Sequence, residues 1–403
     1  MGQSPLPRVL YLTHRTPFPP DKGDRIRTFH LLRQMAKRGR IWLGCPADEP
    51  VGADTLSALN GLCERVAAVP IDRRTRWAKA GWSLATGGSL SEGLFASTAL
   101  THVIREWVAE VRFDAVVASS SALVPYLNDA ALRQVPQVVD LIDVDSQKWL
   151  DFAAATRPPK KWLYRLEAAR VRKLERALAG AAQAVSVVSR AEADVYDSFT
   201  HVGAATVATN GVDLDFFAPV ECAEQPALAF VGALDYRPNE DAAVWFAQEV
   251  WPSIRARVPN AEFRIIGRNP SPTVRALGAI PGVNLVGHVP DVRPFVASAS
   301  VAVVPLRLAR GVQNKVLEAM AMAKAVVAAP PALAALGTEV GVHLLSASTP
   351  QEWVDSVCGL LSDPVRRRQL GVAARQYVER HHHWERCLHP LVAAIFPTPV
   401  APA

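Results

Sequence analysis

The sequence predicts an α/β fold of two Rossmann-like domains, each a doubly wound parallel sheet, facing each other across a cleft. Three observations lead there. The chain has 403 residues, while an ordinary domain holds roughly 100–200. Short apolar runs of strand length alternate with longer stretches of helical periodicity, the pattern of parallel strands joined by crossover helices. That rhythm breaks once, through Pro219, Glu221 and Pro226, and then restarts.

In chain order, residues 8–13 are apolar and end in a polar turn, as a buried parallel strand does. The turn holds Pro17, Pro19, Pro20 and Gly23. A helix over 24–38 follows, with Ile26, Phe29, Leu32 and Met35 on one face. Strands are expected at 41–45, 115–119, 137–142, 184–188 and 204–210, the last ending in Asn210-Gly211-Val212-Asp213. Beyond the break, strands are expected at 228–231, 262–266, 283–286, 301–305 and 325–328, with helices near 241–258 and 312–323. The chain closes on a Pro/Ala tail.

Half the residues are hydrophobic and a fifth are charged, which excludes a disordered chain. The net charge is +6 and the pI about 9.2. This mild excess suits anionic small molecules or an anionic membrane surface, and no nucleic-acid partner is expected. Cys45, Cys63, Cys222, Cys358 and Cys387 lie far apart with no C-x-x-C pair, so a reducing, cytoplasmic setting is expected. The N-terminal stretch lacks a signal-peptide core, and no apolar run reaches the roughly 18 residues of a membrane span.

Ligands of doubly wound sheets bind outside the carboxyl ends of the strands. Gly23 sits there, where backbone can approach a ligand; the turn equally reads as a βα loop stiffened by prolines. The strongest segment runs from Arg307 to Met322. Gly311 lies at a helix start, and Lys315 and Glu318, three residues apart, share a helix face. A carboxylate there can accept hydrogen bonds from a ribose diol, and a lysine with the helix N-terminus can offset diphosphate charge. The same spacing also fits a surface ion pair.

Asp143-Val144-Asp145 has the D-x-D form that can share a hard cation. The expected role is instead acceptor or sugar contact by Asp143, or capping of the next helix by Asp145 or Ser146, and no metal site is expected. His381, His382 and His383 point in different directions and read as a helix start without a ligand role. Ser189 with Glu192 reads as a capping box. Residues 157–176 carry many Arg and Lys interleaved with Trp162, Leu163, Tyr164 and Leu166, and Arg73, Arg74 and Arg76 accompany Trp77 and Trp82. Each stretch fits either an anionic membrane surface or a solvated helix whose aromatics pack inward. No G-x-S-x-G elbow or G-x-G-x-x-G turn is present, against a serine hydrolase and a Rossmann dehydrogenase.

The segment ending in Glu318-Ala319-Met320-Ala321 resembles the donor-binding signature of family 4 retaining glycosyltransferases, which have the GT-B fold. Asn210-Gly211-Val212-Asp213, Phe230-Val231-Gly232, Gly267-Arg268, Val286-Gly287-His288-Val289, Asp291 and His383-Trp384-Glu385 follow in the family's order, so the resemblance spans nearly the whole chain. Leu12 to Pro17, Lys22 to Arg25 and the stretch Asp140 to Trp149 are similar to a subgroup tied to exopolysaccharide and PEP-CTERM sorting systems. The resemblance implies an acceptor-side domain over 1–218, a nucleotide-sugar domain over 219–378, and a helix over 379–397 crossing back to the first domain. It implies transfer of a sugar, with retention, from a nucleoside diphosphate sugar to a hydroxyl of a glycan or lipid-linked acceptor. No cofactor beyond the donor is implied, and the setting is cytoplasmic or peripheral at the inner face of the membrane.

The implied catalytic residues are Asp143, Arg237 and Lys315. Donor contacts fall on Gly23, Gly232, Gly267, Arg268, His288, Val289, Arg310, Gly311, Val312 and Glu318. Two departures stand out. The family's signature has two glutamates separated by seven residues; Glu318 is the second, and Arg310 stands at the first, near the donor sugar. Ala233 replaces an arginine of the second domain's first loop, leaving Arg237 and Lys315 as the phosphate cations. A sugar-nucleotide epimerase of the same architecture and a non-catalytic binding protein are the alternatives.

Overall fold

The structure is a computed structural model that describes residues 5–201 and 204–397. Most of the Pro/Ala tail lies outside them. The chain divides into two compact units: one runs to Thr209 and takes in the chain from Leu388 on, the other is Asn210–Cys387.

The first unit is built on a seven-stranded parallel sheet of β1 (Arg8–Thr13), β2 (Arg40–Ala47), β3 (Arg65–Pro70), β4 (Ala115–Ser119), β5 (Gln137–Ile142), β6 (Ala184–Val187) and β7 (Thr206–Val207). The order is β3-β2-β1-β4-β5-β6-β7. The second unit has six strands: β8 (Gln225–Val231), β9 (Glu262–Ile266), β10 (Val283–Gly287), β11 (Ala299–Val304), β12 (Ala325–Ala328) and β13 (Leu345–Ser346), in the order β10-β9-β8-β11-β12-β13. Every pairing is parallel; Leu10 lies opposite Trp42 on one side and Val116 on the other. Strands β1, β4 and β11 are apolar and almost wholly buried, and β8 is buried over residues 227–230, because helices cover both faces. Each order reverses direction once, at β1/β4 and at β8/β11, and these switch points are where such sheets open a ligand crevice.

Several elements differ from expectation for identifiable reasons. The first helix, Gly23–Ala36, buries Arg27, Leu31, Leu32 and Met35, while Ile26 and Phe29 are only half-buried. Arg27 has turned the helix. Its guanidinium is fully buried and donates to both oxygens of Asp140 at 2.8 Å, and Ser186 Oγ adds a bond to the same carboxylate at 2.7 Å. The expected helix 241–258 is three pieces: Arg237–Trp245, a π turn Phe246–Val250, and Trp251–Arg257. Pro252 lacks the N–H that a continuous helix needs, and the wider turn absorbs the gap. The helix after β11 starts at Asn314 rather than 312, since Gly311 is left-handed at φ +60° and Gln313 is extended.

The helix Asp145–Ala154 has no side-chain cap of its own. Its first N–H groups go to distant carboxylates: Val144 to Glu192 at 2.7 Å and Ser146 to Glu175 at 3.1 Å. Asp145 instead accepts from Ser121 Oγ at 2.6 Å. Ser189 caps its helix, accepting from the Glu192 N–H at 3.3 Å, but the expected capping box does not form, and the Glu192 carboxylate accepts from Val144. His381 ends the helix Pro364–His381, and the buried His382 faces the Asn210 carbonyl from Nδ1 at 2.9 Å, so this histidine run closes one helix and joins the next. No helix among the described residues is long and apolar enough to cross a membrane.

Candidate functional site

The loops after β8, β9, β10 and β11 converge at the carboxyl edge of the second sheet. Backbone bonds tie the first three together: Gly232 N–H donates to Ile266 O at 3.0 Å, Leu234 N–H to Arg268 O at 2.9 Å, and Gly267 N–H to Gly287 O at 2.8 Å. Gly267 must be glycine, because a Cβ there would lie 1.7 Å from the Gly232 carbonyl oxygen. Gly232 leaves its space to Asn239, whose amide nitrogen would be 2.8 Å from an added Cβ.

The fourth loop leads into the helix Asn314–Ala321. Its N-cap, Gln313, makes no side-chain cap and donates from Nε2 to Arg310 O at 2.7 Å. The first N–H groups of the helix therefore lack a capping side chain. Asn314 Oδ1 accepts from Asn210 Nδ2 at 3.0 Å. At the other end, Arg375 Nη1 donates to the carbonyls of Ala321, Leu214 and Phe217 at 2.7, 3.2 and 3.1 Å, fixing the helix to the segment that opens the unit.

Lys315 and Glu318 sit on the inner face of this helix, half-buried. Lys315 Nζ donates to Asn239 Oδ1 and lies 5.3 Å from the centre of the Phe230 ring. Asn239 is in turn oriented by its bond to the Ala233 carbonyl at 2.9 Å. The Glu318 carboxylate accepts no hydrogen bond among the described residues. Burial pushes the Glu318 carboxyl up to about 7, against the pull of Lys315. The same burial brings the Lys315 ammonium down to about 8, against the opposing pull of Glu318. Burial thus disfavours both charges, and of the two groups Glu318 is the one whose carboxylate still has room for hydrogen-bond donors. A small apolar crevice of about 20 Å³, room for little more than one water, lies beneath them, lined by Val231, Val292, Val296, Val304, Ala319 and Met322.

Of the residues singled out from sequence, Gly232, Gly267, Arg268, His288, Val289, Arg310, Gly311, Val312, Lys315 and Glu318 all lie on these converging loops and this helix. His288 is exposed; Arg268, Val289, Arg310 and Val312 are half-buried. Arg237 is exposed and does not line the crevice. It faces a separate depression with Glu240, Asp241, Trp245 and Arg307, where Arg307 Nη2 pairs with Asp241 at 2.7 Å.

Gly23 and Asp143 belong to the first unit. Gly23 is the first residue of its helix with open space around it, and Asp143 is half-buried in the turn after β5. Two residues there belong to the 12–17 stretch of the family resemblance but were given no role from sequence. His14, just past β1, places Nε2 3.0 Å from Asp24 Oδ2 and Nδ1 3.3 Å from the Ser119 carbonyl. Arg15 Nη1 donates to the same Asp24 oxygen at 3.1 Å. Burial would raise the Asp24 carboxyl, yet the bond from His14 and the charges of His14 and Arg15 hold it well below the usual carboxylate range. The signal was a polar Thr-His-Arg closing an apolar strand. Asn239 was likewise missed; it is an amide buried in the first turn of a helix, which sequence alone does not mark.

Residues 225–363 match the family described as glycosyl transferases group 1. The comparison with curated proteins returned no match. Among solved structures, sucrose-phosphate synthase from Thermosynechococcus elongatus is 16% identical, with a TM-score of 0.71 over 97% of this chain and 99% of that one. Anabaena Alr3699/HepE in complex with UDP-glucose is 14% identical, with a TM-score of 0.70 over 97% and 100%. An α,α-trehalose-phosphate synthase from Burkholderia vietnamiensis is 14% identical, with a TM-score of 0.62 over 97% and 100%. The chain has the GT-B fold and is a glycosyltransferase by the group 1 domain it carries over residues 225–363.

Proposed function

We infer that the chain moves a glycosyl group from a nucleoside diphosphate sugar to a hydroxyl of a glycan or lipid-linked acceptor, with retention, in exopolysaccharide biosynthesis. The observation that carries this reading is the poised Lys315–Glu318 pair above the crevice of the second unit. A ribose diol offers two O–H donors, which is what an ionised, otherwise unbonded Glu318 carboxylate accepts. Lys315 and the uncapped N–H groups of Asn314–Ala321 offset the charge of the β-phosphate as it leaves.

In the reaction the bond between the anomeric carbon and the β-phosphate oxygen breaks. A bond to the acceptor oxygen forms, and the acceptor proton is released. Gly232 and Gly267 keep side chains away from the phosphates, Arg268, His288 and Val289 face the base, and Arg310 takes the place beside the sugar. Arg237 is the second candidate cation, although it is exposed and lies in the separate depression rather than beside Lys315 and Glu318. Residues 1–218 supply the acceptor side, with Asp143 as its candidate contact, and no metal takes part.

Because one solved relative is in complex with UDP-glucose, UDP-sugars are the first donors to test. Calorimetry against a panel of nucleotide sugars, with and without EDTA, tests the reading. Binding of one donor unaffected by EDTA is the expected result. Absence of binding across the panel contradicts it and favours a non-catalytic protein, and EDTA-sensitive binding returns Asp143 and Asp145 as metal ligands.

A further inference from the structure

Two helices of the first unit carry large apolar side chains outward on a cationic ground. The helix Arg73–Ala85 buries only Ala80 among its described residues, and leaves Trp77 58% and Trp82 73% exposed. It contains no acidic residue, and Asp72 just before it is engaged as the N-cap, accepting from Thr75 N–H at 2.9 Å. The helix Lys160–Ala181 exposes Trp162 at 64%, together with Leu163 and Leu166, beside exposed Lys160 and Arg165. By contrast, Trp251 and Trp353 of the second unit are completely buried.

The charges of the second helix are sorted by direction. Its two carboxylates, Glu167 and Glu175, are fully buried. Glu167 accepts from the N–H groups of Leu90 and Ser91 at 2.6 and 2.9 Å, and Glu175 from Ser146 N–H at 3.1 Å. Turned inward as caps for other helices, they leave this helix no exposed carboxylate beside Lys160 and Arg165; on the first helix Arg76 is paired with Asp48 at 3.7 Å, while Arg74 is exposed. The two helices share one layer. Glu167 caps the helix Leu90–Phe95, whose Gly93 lies so close to the first helix that an added Cβ would come 2.5 Å from Ala80 Cα. The turn that follows the first helix sits against Arg170, 3.7 Å from a Cβ built on Gly87.

We propose that this face docks the protein on an anionic lipid bilayer. Indoles lodge at the headgroup level, where one edge is wet and the other apolar, while Arg74, Lys160 and Arg165 meet lipid phosphates. Charge selects this occupant. A second copy would set cation against cation, since neither helix presents an outward carboxylate. The proposal goes beyond the transfer reaction: it puts the chain where a lipid-linked acceptor resides, and its test needs neither donor nor acceptor, so the two readings fail separately.

The test is co-sedimentation of the full chain with vesicles of phosphatidylcholine alone and of phosphatidylcholine mixed with phosphatidylglycerol, read alongside tryptophan fluorescence. The expected result is partition at least about tenfold stronger on the anionic vesicles, weakened by salt and accompanied by a blue shift. The variant Trp77→Ser/Trp82→Ser/Trp162→Ser should lose about tenfold or more of that partition with an unchanged Tm. Lys160→Glu/Arg165→Glu should lose it as well without touching the indoles. Equal partition of the wild type on both vesicles overturns the proposal. So does a triple variant that binds like wild type, or a wild-type dimer in sedimentation velocity that the triple variant dissolves.

Discussion

Each unit holds a buried or half-buried cation–carboxylate pair near its switch point, and the two pairs are built differently. Arg27 and Asp140 are both fully buried, joined by two 2.8 Å bonds, and Asp140 has a third bond from Ser186. Burial works against the Arg27 charge, but the Asp140 carboxylate outweighs it and Arg27 holds its proton more tightly than a free guanidinium does. Lys315 and Glu318 are neighbours on one helix turn; Lys315 bonds to Asn239 instead, and burial wins for both. The lesson is that pairing geometry, rather than burial alone, separates a structural ion pair from a poised one. A satisfied pair locks strand ends together. An unsatisfied pair stores unmet hydrogen-bonding capacity that a ligand can fill.

The largest effect expected from breaking this contrast is at Arg27. Arg27→Met leaves Asp140 buried and charged, and should cost about 3–5 kcal/mol in urea unfolding of the first unit. Adding Asp140→Leu to that variant should recover much of the loss. If the single variant unfolds like wild type, the first pair is not structural in the sense argued.

Next is the close approach that shapes the second site. Gly267→Ala forces a Cβ against the Gly232 carbonyl and should cost about 1–3 kcal/mol, visible as a lower Tm and weaker donor binding. An alanine variant with wild-type Tm and donor affinity would show that the loops shift freely.

A smaller effect sharpens the comparison through pH. The Glu318 carboxyl is raised from 4.5 to about 7, so between those values the folded chain holds a proton that the unfolded chain has lost. Stability contributed by this group therefore falls as pH rises from about 4.5 to 7. Glu318→Gln should remove that slope and leave Tm equal or higher at pH 8, whereas Asp140→Asn should lower it. A Tm that drops in Glu318→Gln would place Glu318 among the structural carboxylates. Smallest of all, Ser189→Ala should cost about 1 kcal/mol, the ordinary worth of an N-cap, and leave donor binding alone.

What the sequence made legible follows physical range. The apolar strands β1, β4, β5, β8, β9, β11 and β12 announced themselves because buried parallel strands are apolar runs. Strand β3 did not, since Arg65–Pro70 is a half-buried edge. The i, i+3 spacing of Lys315 and Glu318 was readable, but the burial that shifts their charges was not, since it depends on neighbours distant in sequence such as Phe230 of β8 and Asn239 of the helix that follows it. The face of the first helix was misread because a buried arginine scores as polar until Asp140, over a hundred residues away, is seen to meet it. The caps supplied by Glu167, Glu175 and Glu192 were equally hidden, since capping was sought among near neighbours. Helix 314–321 began later than expected because only the backbone shows that Gly311 is left-handed.

The most direct measurement is calorimetric titration of UDP-glucose, or of whichever donor the panel identifies, into wild type and Glu318→Gln across pH. Wild-type affinity should rise through about pH 7 as Glu318 ionises and fall above about 8 as Lys315 loses its proton. The variant should bind at least about tenfold more weakly, the worth of charge-assisted bonds to a diol, and lack the rise near 7. Equal affinity in the two proteins, or a flat wild-type profile between pH 6 and 9, would contradict the assignment of the Lys315–Glu318 pair as the donor site.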